Sequence, residues 1–137
     1  MLPALEREQL LPYLSKLRAS EVYGRIYLPD DSGSYCGLDF TGNQFIPWRS
    51  PLKHSMATKH NHSHVLEISA TAAEYMEDLA CGASAAVVFG ADAPTISALI
   101  THVVARQYTE VRINHHPSAE RLRKELRTFC EVRIIGE

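Results

Sequence analysis

Ala85-Ala86-Val87-Val88-Phe89 opens the stretch that decides the fold. It is an unbroken apolar run, followed by Gly90-Ala91-Asp92-Ala93-Pro94 and then by Ile96, Leu99, Ile100, Val103 and Val104 at helical spacing. A short continuous apolar run is the pattern of a parallel strand buried on both faces. The i, i+3, i+4, i+7, i+8 stripe behind it is the inner face of an amphipathic helix, with Asp92 as N-cap and Pro94 in the first turn. Further on, Glu110 to Asn114 reads as a strand, and Pro117 opens a helix that turns Ala119, Leu122, Leu126 and Phe129 inward. Glu131 to Ile135 reads as a last strand. Strands separated by helices need crossover connections, which within one sheet are nearly always right-handed and parallel. Residues 85–135 therefore predict a βαβαβ unit. The tetrapeptide Glu-Val-Arg-Ile occurs at 110–113 and again at 131–134, which supports both strands without establishing a repeat.

Upstream of this unit, Thr71 followed three residues later by Glu74 matches a capping box, with Tyr75, Met76 and Leu79 as the apolar side and Gly82 placed to end the helix. His64, Leu66 and Ile68 alternate with Val65 and Glu67, as a strand does. At the other end of the chain, Leu2, Leu5, Leu10, Leu14 and Leu17 fall near helical spacing, and Pro12 predicts a kink or a second helix restarting there. Val22, Gly24, Ile26 and Leu28 alternate with Tyr23, Arg25 and Tyr27. Turn chemistry follows at 29–34, then strands at 35–40 and 44–48. The fold class expected is α/β (or α+β). It is a single domain over 1–137, with an N-terminal helix, a small antiparallel meander and a His-rich strand in 1–68, and the α/β unit in 69–137.

The whole carries 14 Lys and Arg against 16 Asp and Glu, a formal charge of -2, so no global field draws it to nucleic acid or an anionic membrane. Cys36, Cys81 and Cys130 are odd in number and widely spaced, which suggests neither a disulfide framework nor a thiolate zinc site. The opening residues lack the basic and apolar regions of a signal peptide, and no apolar run approaches the roughly 20 residues of a membrane span. A cytoplasmic protein without membrane contact is the expectation.

The local charge tells a different story. Between Phe40 and Leu66 there is no Asp or Glu, while Arg49, Lys53, Lys59 and four of the seven histidines fall there. Such a segment suits contact with phosphate or with an acidic protein, with Trp48 and Phe45 available for stacking or as interface anchors. Within it His60, His62 and His64 alternate. On a strand their rings would share one face, with Cβ atoms roughly 7 Å apart, and imidazoles so placed can converge on zinc or another divalent ion. The His-x-His element resembles part of the JAMM/JAB metalloprotease pattern, which implies a metal-bound hydrolase. Ser69 follows as in that motif, but Ala70, Thr71, Ala72 and Ala73 stand where it places an Asp ligand. A third candidate lies at the carboxyl edge of the predicted sheet, where Gly90, Asp92, Asn114 and His115 leave two strands, the edge at which open α/β sheets bind ligands. No Walker A loop, G-x-G-x-x-G or G-x-S-x-G is present.

Since no catalytic motif is complete, the leading expectation is a non-catalytic binding or adaptor module. It would contact a protein or nucleic-acid partner through Trp48, Arg49, Lys53 and Lys59, with no cofactor. Two others stand beside it: a metal-dependent hydrolase or nuclease using His60, His62 and His64, and a small-ligand or nucleotide sensor at the sheet edge.

Overall fold

A computed structural model describes residues 2–20, 24–32, 36–39, 46–48 and 54–136. Its core is a five-stranded mixed sheet. Strand β5 (Met56–Lys59) is followed by β6 (Val65–Ser69), helix α2 (Ala72–Ala80), β7 (Ser84–Val88), α3 (Ala93–Ala105), β8 (Glu110–Asn114), α4 (Ala119–Leu126) and β9 (Glu131–Ile135). The spatial order is β5-β7-β6-β8-β9, with β5 antiparallel to β7 and the other four strands parallel. The parallel strands thus run second, first, third, fourth, a doubly wound order in which the chain reverses its direction of travel after β7. Because each crossover is right-handed, that reversal sends α2 to one face and α3 and α4 to the other. The two cores follow this division. Tyr75 and Met76 of α2 pack with Ala85 and Val87, and Leu99, Val103, Leu122 and Leu126 pack with Ala86, Val88, Ile68 and Ile113.

The predicted βαβαβ unit is present, and the chain is mixed α/β. It is longer than expected at its start, since β6, grouped above with the N-terminal half, is an inner strand of this sheet. All five residues of β7 are buried, as its uninterrupted apolar run requires. Helix α2 begins at Thr71, whose hydroxyl accepts from the Glu74 amide at 3.2 Å. It ends in a Schellman motif: Gly82 N–H donates to the Leu79 carbonyl and Ala83 N–H to that of Asp78, with Gly82 at φ +82. Asp92 caps α3 through the Thr95 amide at 2.9 Å.

Some expectations are corrected. Phe129 (47% exposed) and Val104 (53%) point outward, and Ile100 and Ile134 are half-buried. Helix α4 ends at Leu126, so Phe129 lies past the last turn that faces the core. Strand β5 has no counterpart in the sequence reading. Its Met56, Ala57 and Thr58 are all buried, so it shows no alternation to read.

The N-terminal part covers the face of the large sheet that α2 leaves bare. Helix α1 (Leu2–Arg7) is followed by a separate 3-10 helix (Leu11–Lys16) with Pro12 in its first turn, the restart that Pro12 predicts. The chain then becomes extended, with Leu17 at ψ 144. An unanticipated strand β1 (Arg18–Ser20) starts the predicted antiparallel meander, β2 (Arg25–Tyr27), β3 (Gly37–Asp39) and β4 (Ile46–Trp48), in the order β1-β2-β3-β4. Gly37 is needed where it stands, because a Cβ there would overlap the Ile26 carbonyl of the neighbouring strand. Leu5, Leu10, Ile26, Leu28, Cys36 and Leu38 join α2, Ala57 and Val87 in one core. The Tyr75 hydroxyl ties the layers by donating to the Pro29 carbonyl at 2.6 Å. Over β8 and β9 the same sheet face is polar. Arg112 meets Glu110 at 3.0 Å and Glu67 at 3.6 Å, and Arg133 meets Glu110 at 3.5 Å.

Leu122, fully buried on α4, and Phe129, beyond its end, give opposite expectations. Leu122→Ala is expected to lower unfolding stability by about 2–5 kcal/mol and Phe129→Ala by under about 1 kcal/mol, measured by urea denaturation. Equal losses would contradict the packing of α4.

Candidate functional site

The meander meets the large sheet at the outer edge of β5, and that edge is closed by two aspartates instead of a strand. Asp31 N–H donates to the Thr58 carbonyl at 2.8 Å, and Asp30 Oδ1 accepts from Thr58 N–H at 2.9 Å. The Asp31 carboxylate accepts from the Thr58 hydroxyl and from His60 N–H, both at 2.8 Å. Carboxylates that accept backbone and hydroxyl protons satisfy an edge that would otherwise need water or another strand.

Beside this seam runs a groove made of two adjoining clefts. The larger, about 680 Å³, is lined by Lys16, Arg18, Ala19, Tyr27, Leu28, Pro29, Asp30 and Lys59. The smaller, about 410 Å³, shares Lys16, Pro29 and Lys59 and adds His60, Asn61 and an apolar wall of Met76, Leu79 and Ala80 from α2. Lys16 ends the 3-10 helix, Arg18 begins β1 and Lys59 ends β5, so three separate elements deliver the three cations. All three are exposed, and none forms an ion pair with a described residue. Among the described lining residues Asp30 is the one carboxylate, and its oxygens accept from Thr58 N–H and from the Ser32 hydroxyl at 2.8 Å.

His60 connects the groove to the interior. Its Nδ1 lies 2.9 Å from the Tyr108 hydroxyl, which lies 3.2 Å from Nε2 of His102 on α3. Arg106, the C-cap of α3, reaches Asp31 at 3.8 Å. Burial holds His60 below the ordinary histidine pKa, with the Arg106 guanidinium and His62 adding to the effect, and burial does the same to His102. Burial also raises the Tyr108 hydroxyl.

Of the binding residues expected from sequence, Lys59 stands in this groove. Trp48 is the last residue of β4, and Arg49 and Lys53, like Phe45, lie outside the described residues. The three histidines do not share a strand face. His60 is the first residue after β5, His62 sits in a turn at φ +60, and His64 precedes β6. The local reason is that Asn61 N–H donates to the Ser84 hydroxyl and its side chain to the Gly82 carbonyl, which bends the chain between the two strands. His60 and His62 rings are 6.3 Å apart. Among the described residues, no three His, Cys, Asp or Glu side chains are grouped as a metal site.

At the carboxyl edge, the two loops do come together as the topology predicts, but their polar groups serve the protein itself. Asn114 donates to the Ile68 carbonyl and to Glu67 at 3.3 Å, across the switch between β6 and β8. His116 is held at both ring nitrogens, by the Val88 carbonyl at 2.8 Å and Ser118 N–H at 3.0 Å. His115, at φ +48, donates its backbone N–H to Ile135, Asp92 caps α3, and Gly90 packs beside Asp92 and Ser55.

The sequence reading missed Lys16, Arg18, Asp31, His102 and Tyr108. Lys16 and Arg18 look like the polar face of a helix until the chain straightens at Leu17. Asp31 reads as turn chemistry, and nothing local links positions 60, 102 and 108. No protein-family model matches this chain, and no curated protein or solved structure matches it significantly.

Asp31 carries the seam, so Asp31→Ala is expected to destabilise the fold by about 1–3 kcal/mol through the orphaned Thr58 and His60 donors. Hydrogen exchange at the His60 amide is expected to accelerate as well. Unchanged stability and exchange would show that Asp31 does not close the edge.

Proposed function

We propose that this chain is a binding module whose groove, lined by Lys16, Arg18 and Lys59, takes an acidic segment of a partner protein. The observation that carries the reading is the convergence of three exposed cations, from three separate elements, on one cleft whose described lining holds one carboxylate, Asp30, engaged with Thr58 and Ser32. Cations so placed steer an anionic partner and fix its register. The wall of Leu28, Pro29, Met76 and Leu79 supplies the apolar contact that a peptide side chain fills. Nucleic acid fits less well, since a phosphate track wants a longer basic stripe and stacking platforms, and Tyr27 is the one aromatic side chain besides His60 among the lining residues. No helix among the described residues is long and apolar enough to cross a membrane. The widely spaced, odd-numbered Cys36, Cys81 and Cys130 suit a reducing, cytoplasmic setting.

The test is binding of a fluorescein-labelled peptide of alternating Glu and Leu, beside a single-stranded oligonucleotide of the same net charge, across a salt series. The peptide is expected to bind, and salt to weaken it. The pair Lys16→Glu and Lys59→Glu is expected to reduce affinity about tenfold or more, roughly 1.4 kcal/mol. Arg123→Glu with Lys124→Glu on α4 is expected to change it less than about twofold. Sensitivity to the α4 pair alone would remove the groove as the binding surface. Tighter binding of the oligonucleotide, with the same groove dependence, would replace the acidic protein by nucleic acid.

A further inference from the structure

We propose that His60 is a charged ligand-binding residue of the groove, meeting an anionic group through Nε2 as the imidazolium, with Tyr108 and His102 as positioning residues that hold the ring. This rests on the groove reading above and adds a proton to it: the partner's carboxylate binds together with H+.

His60 lines the smaller cleft beside Lys16 and Lys59. Its Nδ1 is committed to Tyr108 at 2.9 Å and its backbone N–H to Asp31, while Nε2 has no partner among the described residues. The free nitrogen belongs to a ring held in place at its other side.

The chain behind that ring constrains the protons. One hydroxyl proton on Tyr108 serves two ring nitrogens, so one histidine accepts from it and the other donates to its oxygen. When His60 is the imidazolium, Nδ1 is a donor, and the chain closes with Tyr108 donating to Nε2 of His102. In that arrangement His102 is the neutral partner, in keeping with the burial of its ring on α3 and with Arg106 one turn on, both of which hold its pKa down. Protonating both rings would turn both nitrogens into donors toward the Tyr108 oxygen and leave its own proton to the neighbouring Ser84 hydroxyl.

The groups facing His60 set when it charges. From the meander comes Asp31, which favours the charged ring; from the end of α3 comes Arg106, which opposes it, beside a neutral His102; from its own loop come His62 and His64, also opposing. Lys59 lies beside it in the lining, and α2 contributes only the uncharged Met76, Leu79 and Ala80. In the free protein burial and the opposing charges hold the ring below the ordinary histidine pKa. A carboxylate arriving in the cleft adds a second anion, raises the pKa of His60 and draws in a proton. The sign follows from linkage. A complex that holds more protons than its free components tightens as pH falls, by up to about tenfold per pH unit for one proton.

The experiment uses the full chain and a blocked peptide of alternating Glu and Leu, whose carboxylates stay ionised above about pH 5.5. Calorimetric titration at pH 7.5, 6.5 and 6.0, in buffers of different ionisation enthalpy, reads the proton taken up, and NMR of the His60 ring reads its pKa with and without peptide. Wild type is expected to take up a proton and to bind several-fold more tightly at pH 6.0 than at 7.5. His60→Gln is expected to lose the pH dependence, its affinity staying flat from pH 7.5 to 6.0 without the gain that wild type shows, and to take up no proton. Tyr108→Phe removes the oxygen that receives the charged Nδ1–H, so its pH midpoint is expected to move lower. His62→Gln, which removes one opposing group, is expected to keep the proton uptake and the pH dependence, with a midpoint no lower than that of wild type. An unchanged His60 pKa on binding, or full pH dependence in His60→Gln, would overturn the proposal while the groove reading stood, provided Lys16→Glu with Lys59→Glu still weakened binding. Absence of peptide binding, or indifference to that pair, would remove both.

Discussion

Everything in this molecule follows from the burial of β7. Its five residues are enclosed on both faces and both edges, between β5 and β6. A strand so placed needs a covering layer on each side. The doubly wound connection supplies α3 and α4 on one face but only α2 on the other, and one nine-residue helix does not cover that face. The N-terminal helices and the meander complete the layer, bringing Leu5, Leu10, Ile26 and Leu28 onto Ala57, Ala85 and Val87. Burial of large aliphatic side chains at about 25 cal/mol per Å² makes this second layer a major part of the stability.

That requirement also creates the site. A meander laid over the sheet must meet β5 at its open edge, and Asp30 and Asp31 close the junction through Thr58 and His60. The chain entering the meander and the chain leaving β5 then run side by side, which sets Lys16, Arg18 and Lys59 around one cleft. The acidic groups near the seam are used in holding it, while the cations are left facing solvent. On α2 the opposite balance holds. Glu74, Glu77 and Asp78 make this helix acidic, and burial, with Glu67, Glu74 and Glu77 nearby, raises Asp78 to about 6.

The sequence made the sheet unit legible because each of its elements has a period and a boundary signal: the apolar run of β7, the stripe of α3 with Asp92 and Pro94, and the Thr71 cap of α2. Strand β5 was hidden for a physical reason. Met56-Ala57-Thr58 is buried on both faces and pairs at one edge with β7, so neither alternation nor turn residues announce it. The regular spacing of His60, His62 and His64 was misleading because periodicity is informative only inside an element, and these residues lie between two. Lys59 was named from the carboxylate-free segment around it in sequence. Lys16 and Arg18 were not, since their meeting with Lys59 is a tertiary contact 41 to 43 positions distant in sequence.

The most direct measurement is a titration of the isotope-labelled protein with the Glu-Leu peptide, following the amide signals by two-dimensional NMR. Binding in the groove shifts the amides of Lys16, Arg18, Tyr27, Lys59 and His60 together, with a common affinity, and leaves those of His115 to Arg121 at the opposite edge of the sheet in place. Shifts confined to that edge or to α4, with the amides around Lys59 unmoved, would contradict the assignment of the groove as the functional surface.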